Sequence, residues 1–157
     1  MEKIPMTPLG YRSLEEEQKK LKQKDRPGVI KAIAEAREHG DLSENAEYHA
    51  AKELQSFIEG RITELEYKIR RADVIDVSSI KNNIIVFGAT IKLTDEKNKK
   101  ELDYKIVGVD EANVEKGLIS INSPVARALM GKKTGDSVNV KTPGGTASYE
   151  ILKIEYI

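Results

Sequence analysis

The stretch AKELQSFIEGRITELEYKIRRA, residues 51–72, decides the first half of the fold. Ala51, Leu54, Ile58, Ile62, Leu65, Ile69 and Ala72 succeed one another at intervals of three or four residues, with Glu, Lys and Arg around them. This is an amphipathic helix close to a heptad seam. Toward the N-terminus the pattern is less regular. Leu14 and Leu21 stand one heptad apart, and Ile30, Ile33 and Ala34 resume an apolar face. Between them lies Asp25-Arg26-Pro27-Gly28. Proline removes a helical hydrogen bond and glycine lowers helix propensity, so a kink or short break is expected there, with Asp25 capping the next segment.

The two helical segments meet at His39-Gly40-Asp41-Leu42-Ser43-Glu44. Gly40 suits a left-handed helix end. Asp41 followed by Glu44 reads as an N-cap with its capping box, starting a helix near Leu42. So short a connection predicts antiparallel arms, each roughly 45 Å long at 1.5 Å per residue. The N-terminal half is therefore a long helical hairpin with an acidic tip. One seam covered by the opposite arm builds no globular core, so the shape suggests a probe or a dimerisation element.

Beyond about residue 78 the period changes. Strands are expected at Ala89–Thr94, Leu102–Val109, Leu118–Ile121, Ser137–Lys141 and Ala147–Glu155. A short helix is marked by Ser123 as N-cap, Pro124 in the first turn and Gly131 as the stop. In the last strand Tyr149, Ile151 and Lys153 alternate with Glu150, Leu152 and Ile154, leaving both faces partly apolar. The fold class is α+β: a helical hairpin over residues 1–78, then a small antiparallel sheet with one helix over residues 79–157.

Composition narrows the function. The 26 basic and 26 acidic side chains cancel, which excludes a generally basic nucleic-acid coat. With no Trp and two Phe, a broad stacking platform for single-stranded RNA is excluded too. The absence of Cys removes disulfides, thiolate zinc sites and cysteine nucleophiles. The N-terminus MEKIPMTPLGY lacks the apolar core of a signal peptide, and the longest purely aliphatic or aromatic run, Ile84 to Phe87, is too short to span a bilayer. The chain reads as soluble and cytoplasmic, with no membrane partner.

Asp41, Glu44 and Glu47, spaced by three, admit two readings. Carboxylates at a helix start cap it and suit its dipole. They are also hard oxygen ligands at the end of a probe, and magnesium is commonly held by one or two protein carboxylates, with waters and phosphates completing its shell. A probe carrying two could complete a two-metal phosphoryl-transfer site in a partner enzyme. His39 and His49 flank the tip without a third nitrogen or sulfur ligand for zinc, and read as ordinary exposed histidines. Arg37 and Lys52 serve either salt bridges or RNA phosphate.

The segment Ile33 to Lys52, IAEAREHGDLSENAEYHAAK, closely resembles the tip signature of the bacterial Gre transcript-cleavage factors. Ile4-Pro5-Met6-Thr7, the run Ile119 to Lys132, Thr142-Pro143-Gly144-Gly145 and Ile154-Glu155-Tyr156 resemble further parts of that family, in order along the chain. The resemblance implies a coiled-coil hairpin followed by an FKBP-like domain. It implies docking at the secondary channel of bacterial RNA polymerase, with the hairpin reaching the active site of a backtracked complex. Asp41 and Glu44 match the family's catalytic acids, which share a magnesium ion with the polymerase and orient the water that cuts the nascent RNA near its 3′ end. On this reading the protein is no enzyme alone, but an accessory to the polymerase's RNA-cleaving activity that rescues arrested complexes. Arg37 and Lys52 become RNA contacts, and Asn122, Ser123 and Pro124 part of the docking surface. Ser43 stands where relatives often carry a basic residue. Residues 1–78 hold 14 basic and 16 acidic side chains, which fits the GreA type rather than the more basic GreB type. Alternatives are a channel-binding regulator that does not stimulate cleavage, a prolyl isomerase or chaperone, and a structural coiled-coil dimer; self-association through the seam stays open.

Overall fold

A computed structural model describes residues 2–41 and 44–157. The chain divides into two compact units, one essentially Tyr11–Ala72, the other joining Lys3–Gly10 to Asp73–Ile157.

The first unit is the helical hairpin. Its outgoing arm comprises α1 (Pro8–Lys20), a π-helical turn at Leu21–Asp25 and α2 (Arg26–Arg37); α3 (Ala46–Arg70) returns. Of the kink or short break expected at Asp25–Gly28, no break forms: the helix is irregular there but unbroken. The helix continues through the π-turn, where the Arg26 N–H donates five residues back to the Leu21 C=O, and Asp25 makes no side-chain cap. The buried stripe supplies the reason. Leu14, Leu21, Val29, Ile33 and Ala36 are the buried apolar side chains of this arm, and the Leu21–Val29 interval is one residue longer than a heptad. A π-turn absorbs one extra residue, so Val29 returns to the seam. It also lies where Pro27 lacks an N–H to continue the ladder. Ile30 and Ala34, expected on the apolar face, are exposed.

On α3, Ala51, Ile58, Ile62 and Leu65 are buried, but Leu54 is 52% exposed and Gln55 takes its seam position. With Gln55, the seam through Ala72 alternates four and three residues without interruption, the regular knobs-into-holes pattern. Paired charges tie the arms together: Arg61 to Glu17 at 2.6 Å, Arg26 to Glu59 at 2.9 Å and Lys22 to Glu66 at 3.1 Å.

In the second unit, short strands β1 (Ile4–Met6) and β2 (Ala72–Val74) pair with each other. Sequence patterning did not mark them. Thr7, 5% exposed, begins α1: its hydroxyl accepts from the Gly10 N–H at 3.1 Å. The Thr7 N–H donates to the Glu111 carboxylate at 3.0 Å, and the Thr7 hydroxyl donates to the same carboxylate. Gly108 N–H adds a third bond to Glu111 at 3.0 Å. A Cβ on Gly10 would lie 2.3 Å from the Glu111 Cδ, so only glycine allows this approach.

The main sheet holds β3 (Thr90–Asp95), β4 (Glu101–Val107), β5 (Leu118–Ser120), β6 (Ser137–Thr142) and β7 (Gly145–Glu155), in the order β5-β4-β3-β7-β6. It departs from the expected antiparallel sheet at one edge, where β5 runs parallel to β4. Short 3-10 turns at Val109–Glu111 and Val114–Lys116 carry the chain between them. A bulge between β3 and β7 pairs Lys92 with Lys153 but Leu93 with Ile151, leaving Leu152 as the extra residue. Strict alternation put Ile151 and Ile154 on opposite faces; the bulge turns both to the core. The short helix α4 (Pro124–Leu129) buries Ala126 and Leu129 in that core, with Ser123 as its cap. Among the described residues no helix is long and apolar enough to cross a membrane.

Candidate functional site

The hairpin tip is built between Arg37, the last residue of α2, and Ala46, the first of α3. Gly40, at a φ of 115°, takes the chain out of the helical path with a backbone that other residues rarely adopt. The expected capping box does not form. The cap of α3 is Asn45, whose Oδ1 accepts from the Tyr48 N–H at 3.0 Å. Asp41 therefore is not the helix N-cap, and Glu44 precedes the helix instead of occupying its first turn. Asn-x-x-Tyr outcompetes Asp-x-x-Glu because Asn45 also reaches the other arm, donating from Nδ2 to the Ala36 C=O at 2.6 Å. A helix start near Leu42 and the effect of Ser43 lie outside the described residues.

Asp41 and Glu44 are both exposed, and they line one open concavity of about 510 Å³ with His39, Asn45, Ala46 and Glu47. His39 Nε2 stands 3.7 Å from a Glu47 carboxylate oxygen, linking the two sides of the tip. Arg37 is exposed, with its guanidinium 5.9 Å from the Tyr48 ring centre, and Tyr48 meets His49 edge-on at 5.6 Å. Lys52 is exposed one and a half turns along α3 and donates to the Gln55 Oε1 at 3.3 Å. Arg37 and Lys52 present positive charge on the two helices that meet at the tip.

The donor chemistry of the concavity is mostly carboxylate oxygen, which suits a hard cation such as magnesium better than zinc. Among the described residues no group of three or more His, Asp or Glu side chains is gathered to hold a metal. Asp41 and Glu44 fit a partial ligand set, of the kind magnesium takes when phosphates and a second protein supply the rest.

The other predicted residues lie in the second unit. Asn122 and Pro124 are exposed and Ser123 is half-buried. The Ser123 Oγ accepts from the Ala126 N–H at 3.2 Å, and the Asn122 N–H donates to the Ser120 Oγ at 3.1 Å. These bonds hold the loop rigidly at the end of β5 while leaving the Asn122 side chain facing outward. Sequence reasoning missed Asn45. Its signal was present, since asparagine is among the best N-caps and an apolar-periodic helix follows it.

Residues 4–74 match the family described as transcription elongation factor, N-terminal, and residues 80–156 match transcription elongation factor, GreA/GreB, C-term. The chain is 64% identical to the transcription elongation factor GreA of Ruegeria pomeroyi, over 99% of both chains. It is 61% identical to that of Beijerinckia indica, again over 99% of both. Among solved structures it resembles GreA factor homolog 1 of Thermus thermophilus, at 28% identity and a TM-score of 0.45, covering 98% of this chain and 99% of that one. Matched in order through both of its halves, the chain belongs to the GreA/GreB family of transcription elongation factors.

Proposed function

We propose that this elongation factor binds bacterial RNA polymerase through its secondary channel and stimulates endonucleolytic cleavage of backtracked nascent RNA, rescuing arrested complexes. The observation that carries the reading is the shared concavity of Asp41 and Glu44 at the hairpin tip, together with the capping of α3 by Asn45. A capping role for the acids would have accounted for them without any chemistry; Asn45 has that role instead. The relatives at 61% and 64% identity carry the elongation-factor name, which supports the polymerase as partner.

In this mechanism Asp41 and Glu44 supply carboxylate oxygens to an active site that the polymerase otherwise provides. Asp41 and Glu44 would hold a magnesium ion jointly with the polymerase, and that ion would supply charge neutralisation and activation of the attacking water. The Asp41 and Glu44 carboxylates would also accept hydrogen bonds from the attacking water and so orient it toward the RNA phosphate. Arg37 and Lys52 offer positive charge to the phosphates near the RNA 3′ end. Asn122, Ser123 and Pro124 form part of the docking surface: a loop already held by two hydrogen bonds loses little entropy on binding. The protein is an accessory and does not cut RNA alone.

A stalled, backtracked elongation complex tests this directly, with the RNA 3′ end followed on a gel with and without the protein. Faster 3′-end removal in its presence is expected. Binding to the polymerase without any change in cleavage would replace this reading with that of a channel-binding regulator.

A further inference from the structure

The end of α2 and the start of α3 are joined through a single side chain. Asn45 Oδ1 accepts from the Tyr48 N–H, and Asn45 Nδ2 donates to the Ala36 C=O. The first bond satisfies an amide that lacks an intrahelical partner at the start of α3, and the second takes a carbonyl in the last turn of α2. A primary amide one methylene from the backbone is suited to both. Aspartate has no donor, serine has one hydroxyl to share, and alanine has neither group. Ala36 is itself anchored, 3% exposed at the end of the seam.

The position of this tie along the chain gives it a consequence. Ala36 precedes Asp41 by five residues, and Asn45 directly follows Glu44. The tie therefore holds together the two ends of the segment that carries both acids. The contact between His39 and Glu47 spans the same segment, but those side chains are 66% and 76% exposed, where solvent screens an ion pair heavily. Asn45 is half-buried and its bond to the Ala36 carbonyl is 2.6 Å.

We infer that Asn45 is a positioning residue for the cleavage reaction, holding Asp41 and Glu44 in the spacing at which they act together by tying α3 to the Ala36 carbonyl. The inference rests on the role proposed above for the two acids. Catalytic groups on a rigid support keep their geometry, and a displacement of about 1 Å can cost roughly 100-fold in rate.

The test uses the full-length protein with backtracked polymerase complexes, comparing Asn45→Asp and Asn45→Ala with wild type. Asn45→Asp keeps an acceptor for the Tyr48 N–H but removes the donor to Ala36, so α3 stays capped while the tie is lost. Three quantities are read: the cleavage rate at saturating factor, the factor concentration at half-maximal rate, and the magnesium concentration at half-maximal rate. The expected result is a rate lower by about 10- to 100-fold for both variants, an unchanged half-saturating factor concentration, and a raised magnesium requirement. A wild-type rate for Asn45→Asp overturns the inference. So does a parallel loss of rate and polymerase affinity accompanied by melting of the hairpin, because a purely structural role then suffices. Wild-type cleavage by Asp41→Ala and Glu44→Ala, run alongside, would instead remove the proposed role of the acids.

Discussion

Arg61 holds Glu17 with two hydrogen bonds across the hairpin, from Nε at 2.6 Å and from Nη2 at 2.9 Å. The pair joins α3 to α1 at a distance of 44 residues in sequence. Arg61 also reaches Glu64 at 3.2 Å, and Glu64 reaches Lys68 at 3.1 Å, so the pair begins a short charged ladder along α3.

The hydrogen bond from Arg61 holds the Glu17 carboxyl below its ordinary value. A carboxylate with a lower pKa folded than unfolded contributes stability that is present above the unfolded value and lost as pH falls through the folded one. Glu17→Gln should therefore lower the melting temperature at neutral pH, and the difference from wild type should shrink in acid below the usual carboxylate range. The side chains of Arg61 and Glu17 are 27% and 40% exposed, so solvent screening limits the loss to about 0.5–1 kcal/mol, smaller still at high salt. Thermal melts of both proteins across pH and salt measure it. A difference that grows in acid would contradict the assignment.

Asp41→Ala and Glu44→Ala should each abolish stimulated cleavage and leave polymerase binding largely intact. The Asn45 cap remains in both variants, so neither should carry the loss of about 1 kcal/mol expected when a helix cap is removed. Cleavage assays, competition binding and thermal melts separate these effects. Normal cleavage by both variants would remove the mechanism.

The π-turn gives a prediction that regular helices do not. Deleting Gln23 together with Pro27→Ala should convert Leu21–Asp25 to ordinary helix and shorten the Leu21–Val29 interval to a heptad, keeping the seam in register. Deleting Lys31 instead would shorten the Val29–Ala36 interval from a heptad to six residues and move Ala36 out of phase with Val29. The first variant should fold with near-native helicity, and the second should melt well below wild type. Circular dichroism melts compare them, and equal damage from both deletions would show that the seam does not set the π-turn.

Asn122 and Ser123 separate docking from capping. Ser123→Ala should cost about 1 kcal/mol through the lost bond to the Ala126 N–H; unchanged polymerase affinity in this variant would confine Ser123 to capping. Asn122→Lys should weaken polymerase binding without lowering the melting temperature, since its side chain is exposed. Unchanged affinity for Asn122→Lys would take this loop out of the interface.

The parts of the structure legible in the sequence are those fixed by local period. The β3, β4, β5, β6 and β7 strands fall within a few residues of their expected places, and Ser123 caps the short helix as read. What escaped was set by partners far along the chain or by competition between adjacent signals. Pro27-Gly28 reads locally as a break, whereas the eight-residue step from Leu21 to Val29 requires only one absorbed residue. Asp41 is a good cap by composition, yet Asn45 prevails through its bond to Ala36. The bulge at Leu152 turns Ile154 inward, which strict alternation could not show. At the tip, Asp41 and Glu44 were legible as acids at a turn; that Asn45 caps α3 was visible only in the fold.

The bonds between Thr7 and Glu111 have a further consequence, for the order in which the chain matures. The α1 cap is local, the Thr7 hydroxyl, but Thr7 is itself held by a carboxylate 104 residues downstream. At about 5–20 residues per second, synthesis delivers that carboxylate roughly 5–20 s after Thr7. The arms of the hairpin, whose seam closes over shorter separations, can zip together during that wait. The first helix to leave the ribosome thus has its beginning secured only after both arms of the hairpin have been made.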